Sequence, residues 1–186
     1  MKKFELTTDT KVVLGRKLFR IKALISFGNV TAGDFGGYVE KEENLSHDGD
    51  AWVYGNAEIY GNARVYGDAR VCGNARVCGN AEIYGNAWVC GDAKVYGNAK
   101  VYGNAEIYGN AEIYGDADYL CFKGLGSQNR NTTFFKCKDG HIHVSCGCFS
   151  GNLEEFENKV KETHGNNKYA REYLACIEVV KIHFEV

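Results

Sequence analysis

The chain lacks the segments that would place a protein in or across a membrane. Its 186 residues contain no apolar run long enough to span a bilayer, and the initial Met-Lys-Lys is not followed by a secretory apolar stretch. It also lacks a basic surplus, since 22 Lys and Arg are balanced by 24 Asp and Glu. Proteins that bind nucleic acid through its phosphates carry such a surplus. We therefore expect a cytoplasmic protein with no general affinity for nucleic acid or membranes.

The centre of the sequence is a strict six-residue repeat of an aliphatic residue, Tyr or Cys, Gly, Asn or Asp, Ala, and a variable residue. The alternation in Ala-x-Val-Tyr predicts short strands whose Ala and aliphatic side chains point inward. Gly followed by Asn or Asp predicts a corner, because both tolerate positive φ. A period this short and regular predicts a solenoid. The aliphatic positions are Val53, Ile59, Val65, Val71, Val77, Ile83, Val89, Val95, Val101, Ile107 and Ile113.

The pattern resembles the hexapeptide-repeat proteins over about residues 39–118. This resemblance implies a mainly β fold, a left-handed parallel β-helix in which three hexapeptides make one coil of 18 residues. Val39 and Leu45 predict an earlier, degenerate coil, with two extra residues before Val53. We expect residues 1–38 to form an N-terminal β cap and residues 119–186 to form a small C-terminal α+β domain.

Two segments outside the repeat carry a second resemblance, to uncharacterised hexapeptide-repeat proteins of enteric bacteria, phages and prophages. Their N-terminal part is similar to residues 18–55, LFRIKALISFGNVTAGDFGGYVEKEENLSHDGDAWVYG. The tail domain of the phage members is similar to residues 146–165, CGCFSGNLEEFENKVKETHG. The resemblance implies an architecture, and it brings no established activity with it.

A hairpin and two helices are predicted for the C-terminal segment. The two-residue turn signal Asp139-Gly140 lies between alternating runs and would place Cys137 opposite Ile142. Asn152 is the predicted N-cap of the first helix. The second helix is predicted over residues 168–183.

The Cys and His residues predict neither a disulfide scaffold nor a metal site. Without an export signal, a chain of this length is expected to keep its eight Cys reduced. The spacings C-x-C and H-x-H differ from the pairs typical of zinc sites, and the predicted hairpin separates Cys137 from both His. We therefore expect no metal and no cofactor. The residues considered are Cys121, Cys137, Cys146, Cys148, His141, His143 and His164.

The repeat also lacks the residues of the known hexapeptide-repeat enzymes. The resemblance implies a His base in the acyltransferases and three His zinc ligands in the carbonic anhydrase branch. No His occurs between Asp48 and Asp139, and His47 stands alone at the edge. An antifreeze relative needs a Thr array, and no Thr occurs between Ala32 and Asn131. We predict no catalytic residue, and an acyltransferase-like enzyme is the last of three alternatives.

Stacked coils would align residues 18 apart on three walls, with about 4.8 Å between coils. One wall carries both Trp residues of the chain, Trp52 and Trp88, with Arg70 between them. Exposed aromatic residues and Arg are enriched at protein interfaces. The third wall carries alternating charges beside a row of Tyr, and the second wall does so in part, which is typical of solvated faces. The predicted partner-binding residues are Trp52, Tyr54, Arg70, Cys72, Trp88, Cys90 and Tyr108.

These features predict a non-catalytic scaffold that presents its walls to a protein partner. The first candidate partner is a second copy, because the hexapeptide-repeat resemblance implies a homotrimer. The phage resemblance implies an accessory or anti-defence role, such as inhibition of a host defence protein. The alternative is a protein that sequesters a nucleotide-like ligand through an arginine ring or a polar loop. Its predicted ligand-binding residues are Arg64, Arg76, Ser127, Asn129, Arg130 and Thr132.

Overall fold

Stacked parallel coils form the centre of the structure. The computed structural model describes all 186 residues of the chain. A parallel β-solenoid of about four turns lies between an N-terminal antiparallel unit and a small C-terminal sheet with two helices. The mainly β solenoid fold predicted from the repeat is therefore confirmed. Neither helix combines the length and the apolar character needed to cross a membrane.

Each hexapeptide forms one strand of two residues, the variable residue and the aliphatic residue after it. The coils stack because residues 18 apart pair in parallel, as Trp52, Arg70 and Trp88 do. The strands are β4 (Trp52–Val53), β5 (Glu58–Ile59), β6 (Arg64–Val65), β7 (Arg70–Val71), β8 (Arg76–Val77), β9 (Glu82–Ile83), β10 (Trp88–Val89), β11 (Lys94–Val95), β12 (Lys100–Val101), β13 (Glu106–Ile107) and β14 (Glu112–Ile113).

The strands form the three predicted walls. Wall 1 contains β4, β7, β10 and β13, wall 2 contains β5, β8, β11 and β14, and wall 3 contains β6, β9 and β12. Val39 pairs beside Ile59 and Leu45 bridges to Val65, so both occupy the degenerate coil expected for them. The two extra residues before Val53 lie in the connection between walls 3 and 1.

Small and aliphatic side chains of the repeat fill the interior of the solenoid between its two ends. From Ala51 to Ile113, every Ala, Val and Ile of the repeat is fully buried, so these side chains form a closely packed core. The corners require glycine, as Gly73 shows. It has a φ of 69°, and a Cβ there would lie 2.9 Å from the carbonyl oxygen of Gly91 on the next coil.

The backbone hydrogen bonds at the corners and strand ends of the solenoid run in one direction along its axis. The N–H of each coil donates to a carbonyl of the following coil, as Trp52 does to Ala69. Carbonyl groups of the first coil are therefore left at the N-terminal end, where they need donors. The buried ammonium of Lys3 donates to the carbonyl oxygens of Gly49 and Ala51, at 3.1 and 2.9 Å.

A second side chain continues this cap. Asn44 ends a short 3-10 helix (Glu42–Asn44) and is fully buried. Its Nδ2 donates to the carbonyl oxygens of Gly61 and Ala63 at 3.2 and 2.8 Å, while its Oδ1 accepts from the Lys41 N–H. The N-terminal end is thus closed by donors.

The C-terminal end is closed by acceptors, because there the last coil leaves free N–H groups. The carboxylate of Asp116 accepts from the N–H of Lys100 at 2.7 Å, and Thr133 Oγ1 accepts from the N–H of Glu106. Asp118 Oδ2 accepts from the N–H of Tyr114 at 2.8 Å and from the next N–H as well. Both Asp belong to a short 3-10 helix (Asp116–Asp118).

An antiparallel unit precedes the solenoid and extends wall 2. The strand order in this sheet is β1-β2-β3-β5-β8-β11-β14, so the hairpin adds two strands beyond β3. Phe4 and Leu18 are fully buried in this unit. The strands are β1 (Phe4–Val13), β2 (Arg16–Ala23) and β3 (Phe35–Val39).

The C-terminal sheet lies between the end of the solenoid and the two helices. Phe134 faces the helices and packs with Phe156, whereas Phe135 belongs to the core of the solenoid. The prediction that Asn152 caps the first helix is confirmed, and its side chain forms a capping box with Glu155. The elements are β15 (Tyr119–Leu125), β16 (Arg130–Lys136), β17 (Ile142–Cys146), β18 (Phe149–Asn152), α1 (Leu153–His164) and α2 (Lys168–Phe184).

The predicted register of the hairpin between β16 and β17 is wrong by one residue. Phe135 lies opposite His143, not Val144, and Ile142 pairs with Lys136. The N–H of Cys137 donates to the His141 carbonyl at 3.0 Å, so three residues separate this pair. The third of them, Gly140, has a φ of 87°, which a three-residue loop with a bulge requires.

Candidate functional site

Wall 1 carries the predicted residues, but the N-terminal unit covers one of its two Trp. Trp52, Arg70 and Trp88 follow one another on adjacent strands, as expected. Trp52 is only 1% exposed, because the rings of Phe4 and Phe27 pack against it edge-on at 6.2 and 5.4 Å. The prediction that Trp52 belongs to an open surface is therefore wrong, although its side chain does point out of the solenoid.

Trp88 remains open to solvent and is the centre of what we call the wall-1 patch (Arg70, Cys72, Trp88, Cys90 and Tyr108). Its side chain is 39% exposed. The indole Nε1 donates to Cys72 Sγ at 3.0 Å, and the ring packs edge-on against Tyr108 at 5.6 Å. Both contacts hold the indole in one orientation, so the patch presents a fixed aromatic surface.

The other predicted residues of wall 1 are less exposed than Trp88. Arg70 is half-buried and makes no cation–π contact with either Trp. Tyr54 packs against the solenoid core, and burial raises its pKa. Burial and then the Glu106 carboxylate raise the pKa of Tyr108 far above its ordinary value of 10.0, so the phenol keeps its proton.

Cys72 and Cys90 form a disulfide on this wall, so the expectation that every Cys is reduced is wrong for this pair. They are 18 residues apart and therefore occupy the same position on adjacent coils. Their Cα atoms lie 4.6 Å apart, within the range that a disulfide spans. The other six Cys are free. The disulfide links two coils directly beneath the Trp88 ring.

The arginine ring predicted for ligand binding is not one site. Arg64, Arg70 and Arg76 lie on walls 3, 1 and 2 respectively and cannot converge on one ligand. Arg76 Nε is paired with Glu58 at 3.1 Å, and the Arg64 guanidinium lies 5.8 Å from the centre of the Tyr66 ring.

The predicted polar loop contributes half of its residues to a cleft. Ser127 and Arg130 line a cavity of about 440 Å³ together with Lys159, Thr163 and His164 from α1. Asn129 shapes the turn with a φ of 50° and does not line the cavity. Thr132 is fully buried and donates to Cys146 Sγ at 3.1 Å, so its hydroxyl is not available to a ligand.

Cys137, His141 and His143 form a cluster that the predicted register had separated. One donor atom of each lies within 4.8 Å of the others. Cys137 is buried, and burial followed by the charge of Asp139 raises the pKa of its thiol to about 11. Burial, and then His141, lower the pKa of His143. In this state the thiol is protonated and His143 is neutral.

His47 has a structural role. Its Nδ1 accepts from the Lys3 N–H at 3.1 Å, and its ring stacks on Phe4 with a centroid distance of 4.4 Å. It therefore holds the N-terminal unit against the first coil.

Comparison with known proteins agrees with the observed coils. A family model for the YdcK β-solenoid repeat matches residues 57–73, 69–81 and 75–91. The chain is a β-solenoid repeat protein. Its similarity to that repeat covers the coils from β5 to β10. No curated protein matches the sequence.

The sequence contained a signal for the Cys and His cluster of this β-solenoid protein. Gly140 follows three residues after Cys137, and a three-residue loop with Gly at its last position is a common hairpin connection. That alternative places Cys137 opposite His141 and aligns both with His143 on one face. The two-residue turn signal favoured the other register, which separates these side chains.

Proposed function

We propose that this protein is a non-catalytic binding scaffold whose wall-1 patch binds a protein partner. One observation carries the proposal. Trp52 and Trp88 occupy the same repeat position on the same wall, yet Trp52 is covered and Trp88 is open. The chain itself thus supplies an example of how this wall buries an aromatic side chain.

The covering of Trp52 indicates what the partner should present. Phe4 and Phe27 approach the indole edge-on, which is a favoured aromatic geometry. We expect a partner with one or more apolar or aromatic side chains to occupy the equivalent position over Trp88. The half-buried Arg70 and Glu106 flank the indole on adjacent strands and would select for polar groups at the rim.

The identity of the partner is a finer proposal. We infer that the chain is cytoplasmic and related to the enteric-bacterial, phage and prophage proteins that resemble residues 18–55 and 146–165. Within that group, an accessory or anti-defence role is supported by the resemblance of the tail, and a host defence protein is the partner it suggests. The other proposed partner is a second copy of the chain. In that case, the first assembly that we propose is a homotrimer.

The test compares Trp88→Ala with Tyr102→Ala in the full-length protein. Tyr102 is the matched control, because it is an aromatic residue on the adjoining corner of wall 3 and is 50% exposed. Self-association is measured by light scattering over a range of concentrations, and partner capture by pull-down from bacterial lysate with mass spectrometry. We expect wild type and Tyr102→Ala to associate in at least one assay and Trp88→Ala to lose that association. Equal behaviour of the two variants would overturn the proposal.

The cleft of the C-terminal domain supports a second candidate, the sequestering of a nucleotide-like anion. Arg130 and Lys159 line it and provide positive charge, and His164 and Ser127 can donate hydrogen bonds. Calorimetry with a panel of nucleotides is the test. We expect binding to be lost in Arg130→Ala and kept in Arg171→Ala, an exposed position on α2 outside the cleft. Absence of heat with wild type would remove this candidate.

A further inference from the structure

Three metal-binding side chains meet where the β16–β17 hairpin touches the end of the solenoid. We propose that Cys137, His141 and His143 bind one divalent transition-metal ion, with zinc as the expected metal. Their donor atoms all lie within 4.8 Å of one another. One thiolate and two imidazoles form a donor set that zinc favours over the oxygen ligands of magnesium or calcium.

The distances suit an ion at the centre of the cluster. With zinc–sulfur and zinc–nitrogen bonds of about 2.3 and 2.0 Å, tetrahedral coordination separates the ligand atoms by about 3.3–3.5 Å. The donor atoms lie within 4.8 Å of one another, so the longest separation has to contract by no more than about 1.5 Å. Side-chain rotation can supply this contraction, because His141 is exposed.

Each imidazole already has a partner for its other nitrogen. Nδ1 of His141 is bound to the carboxylate of Asp139, and Nε2 of His143 lies 2.8 Å from Ser150 Oγ. Metal-bound His residues usually donate their second N–H to such groups, which fixes the tautomer and leaves one nitrogen for the metal. In this cluster, one ring nitrogen of each His has such a partner and the other has none.

The third ligand is held by the solenoid itself. Cys137 forms an antiparallel bridge with Ala111, and the N–H of Lys138 donates to the Asn110 carbonyl at 3.3 Å. The thiol is therefore buried at the junction of the two units. Binding would release the thiol proton to solvent, leaving a thiolate on the ion, and a water molecule would complete the coordination. All three ligands belong to the hairpin, so the ion would fix the hairpin loop, which Cys137 holds against the last coil.

Cobalt and zinc titrations of the full-length reduced protein test this site. Co²⁺ should bind at one ion per chain and give a thiolate-to-cobalt charge-transfer band with the visible bands of tetrahedral cobalt. Excess Zn²⁺ should remove both. We expect His141→Gln and Cys137→Ser to abolish the charge-transfer band, with His164→Gln and Cys121→Ser as controls that retain it.

His141→Gln is the decisive variant, because His141 is exposed and its loss should leave the fold intact by circular dichroism. Cys137→Ser changes a buried side chain, so its spectrum counts only if that variant folds. A wild-type protein without the band would overturn the proposal. So would a band that persists in His141→Gln, since the cobalt would then sit on other thiols.

Discussion

The indole Nε1 of Trp88 donates a hydrogen bond to Cys72 Sγ, one coil earlier on the same wall, at 3.0 Å. Cys72 is in turn joined to Cys90, the second residue after Trp88. The Trp88 ring is therefore held against the wall on one side and exposed to solvent on the other. Trp52 shows the opposite case, since both of its contacts come from the N-terminal unit that covers it.

The two Trp residues should differ sharply in their effect on stability. We expect Trp52→Ala to lower the free energy of unfolding by about 3–5 kcal/mol, because it empties a buried aromatic site. Trp88→Ala should cost about 1 kcal/mol or less, since its ring is exposed. Urea denaturation followed by circular dichroism measures both. Equal losses would contradict the covering of Trp52 by the N-terminal unit.

The core column should not accept a charge. Val77 is fully buried between Ile59 and Val95 on wall 2. We expect Val77→Asp to lower the free energy of unfolding by more than about 4 kcal/mol and to abolish soluble expression, because the carboxylate would have no partner. Lys100→Asp, at an exposed outward position, is the control and should express normally. Soluble, cooperatively folding Val77→Asp would contradict the inward assignment of the aliphatic column.

The N-terminal cap should give a pH-dependent stability. Burial lowers the pKa of Lys3 from 10.5 to about 8, while neighbouring Asp50 opposes the shift. Between these values the unfolded chain binds more protons than the folded chain, so the stability contributed by this group rises with pH. Wild type should gain about 2 kcal/mol relative to Lys3→Met from pH 7.5 to pH 9.5.

Urea denaturation at the two pH values measures this difference, and Lys17→Met at an exposed position of β2 is the matched control. The comparison with Lys3→Met cancels the titration of groups common to both proteins. A constant difference across the range would show that the Lys3 amine is solvated in the folded protein.

Replacing an amide with a carboxylate at one end of the solenoid, and a carboxylate with an amide at the other, should change the stability of the protein by different amounts. Asn44→Asp replaces a donor with an acceptor facing the carbonyl oxygens of Gly61 and Ala63, and we expect a loss of about 3 kcal/mol. Asp118→Asn keeps an acceptor oxygen for the Tyr114 N–H and should cost less than about 1 kcal/mol. Thermal unfolding of both variants is the measurement. The reverse order would contradict the direction of the backbone hydrogen bonds.

The repeat made the solenoid predictable because its information is local. One hexapeptide specifies a strand and a corner, and the spacing of 18 then places Arg70 between Trp52 and Trp88. The covering of Trp52 was not predictable in this way. It depends on Phe4 and Phe27, which lie far away in the sequence and belong to a unit without periodicity.

The wrong predictions for the candidate sites also have specific causes. The Cys137–His141 pairing depends on whether the hairpin loop has two or three residues, and one turn signal fits both. The Cys72–Cys90 disulfide was not predicted, because the lack of an export signal favours reduced Cys. The repeat nevertheless places these two Cys at the same position on adjacent coils. Both groupings follow from the register once it is known.

The end caps restrict how copies of this molecule can polymerise. A stack of parallel coils is, in principle, a template for its own extension, as in cross-β fibrils that grow by adding strands to an edge. Here the carbonyl groups at one end are occupied by Lys3 and Asn44, and the N–H groups at the other by Asp116 and Asp118. An incoming copy would have to displace an ammonium at one end or a carboxylate at the other. Assembly of folded molecules is therefore directed to the sides, and end-to-end fibres require prior loss of a cap.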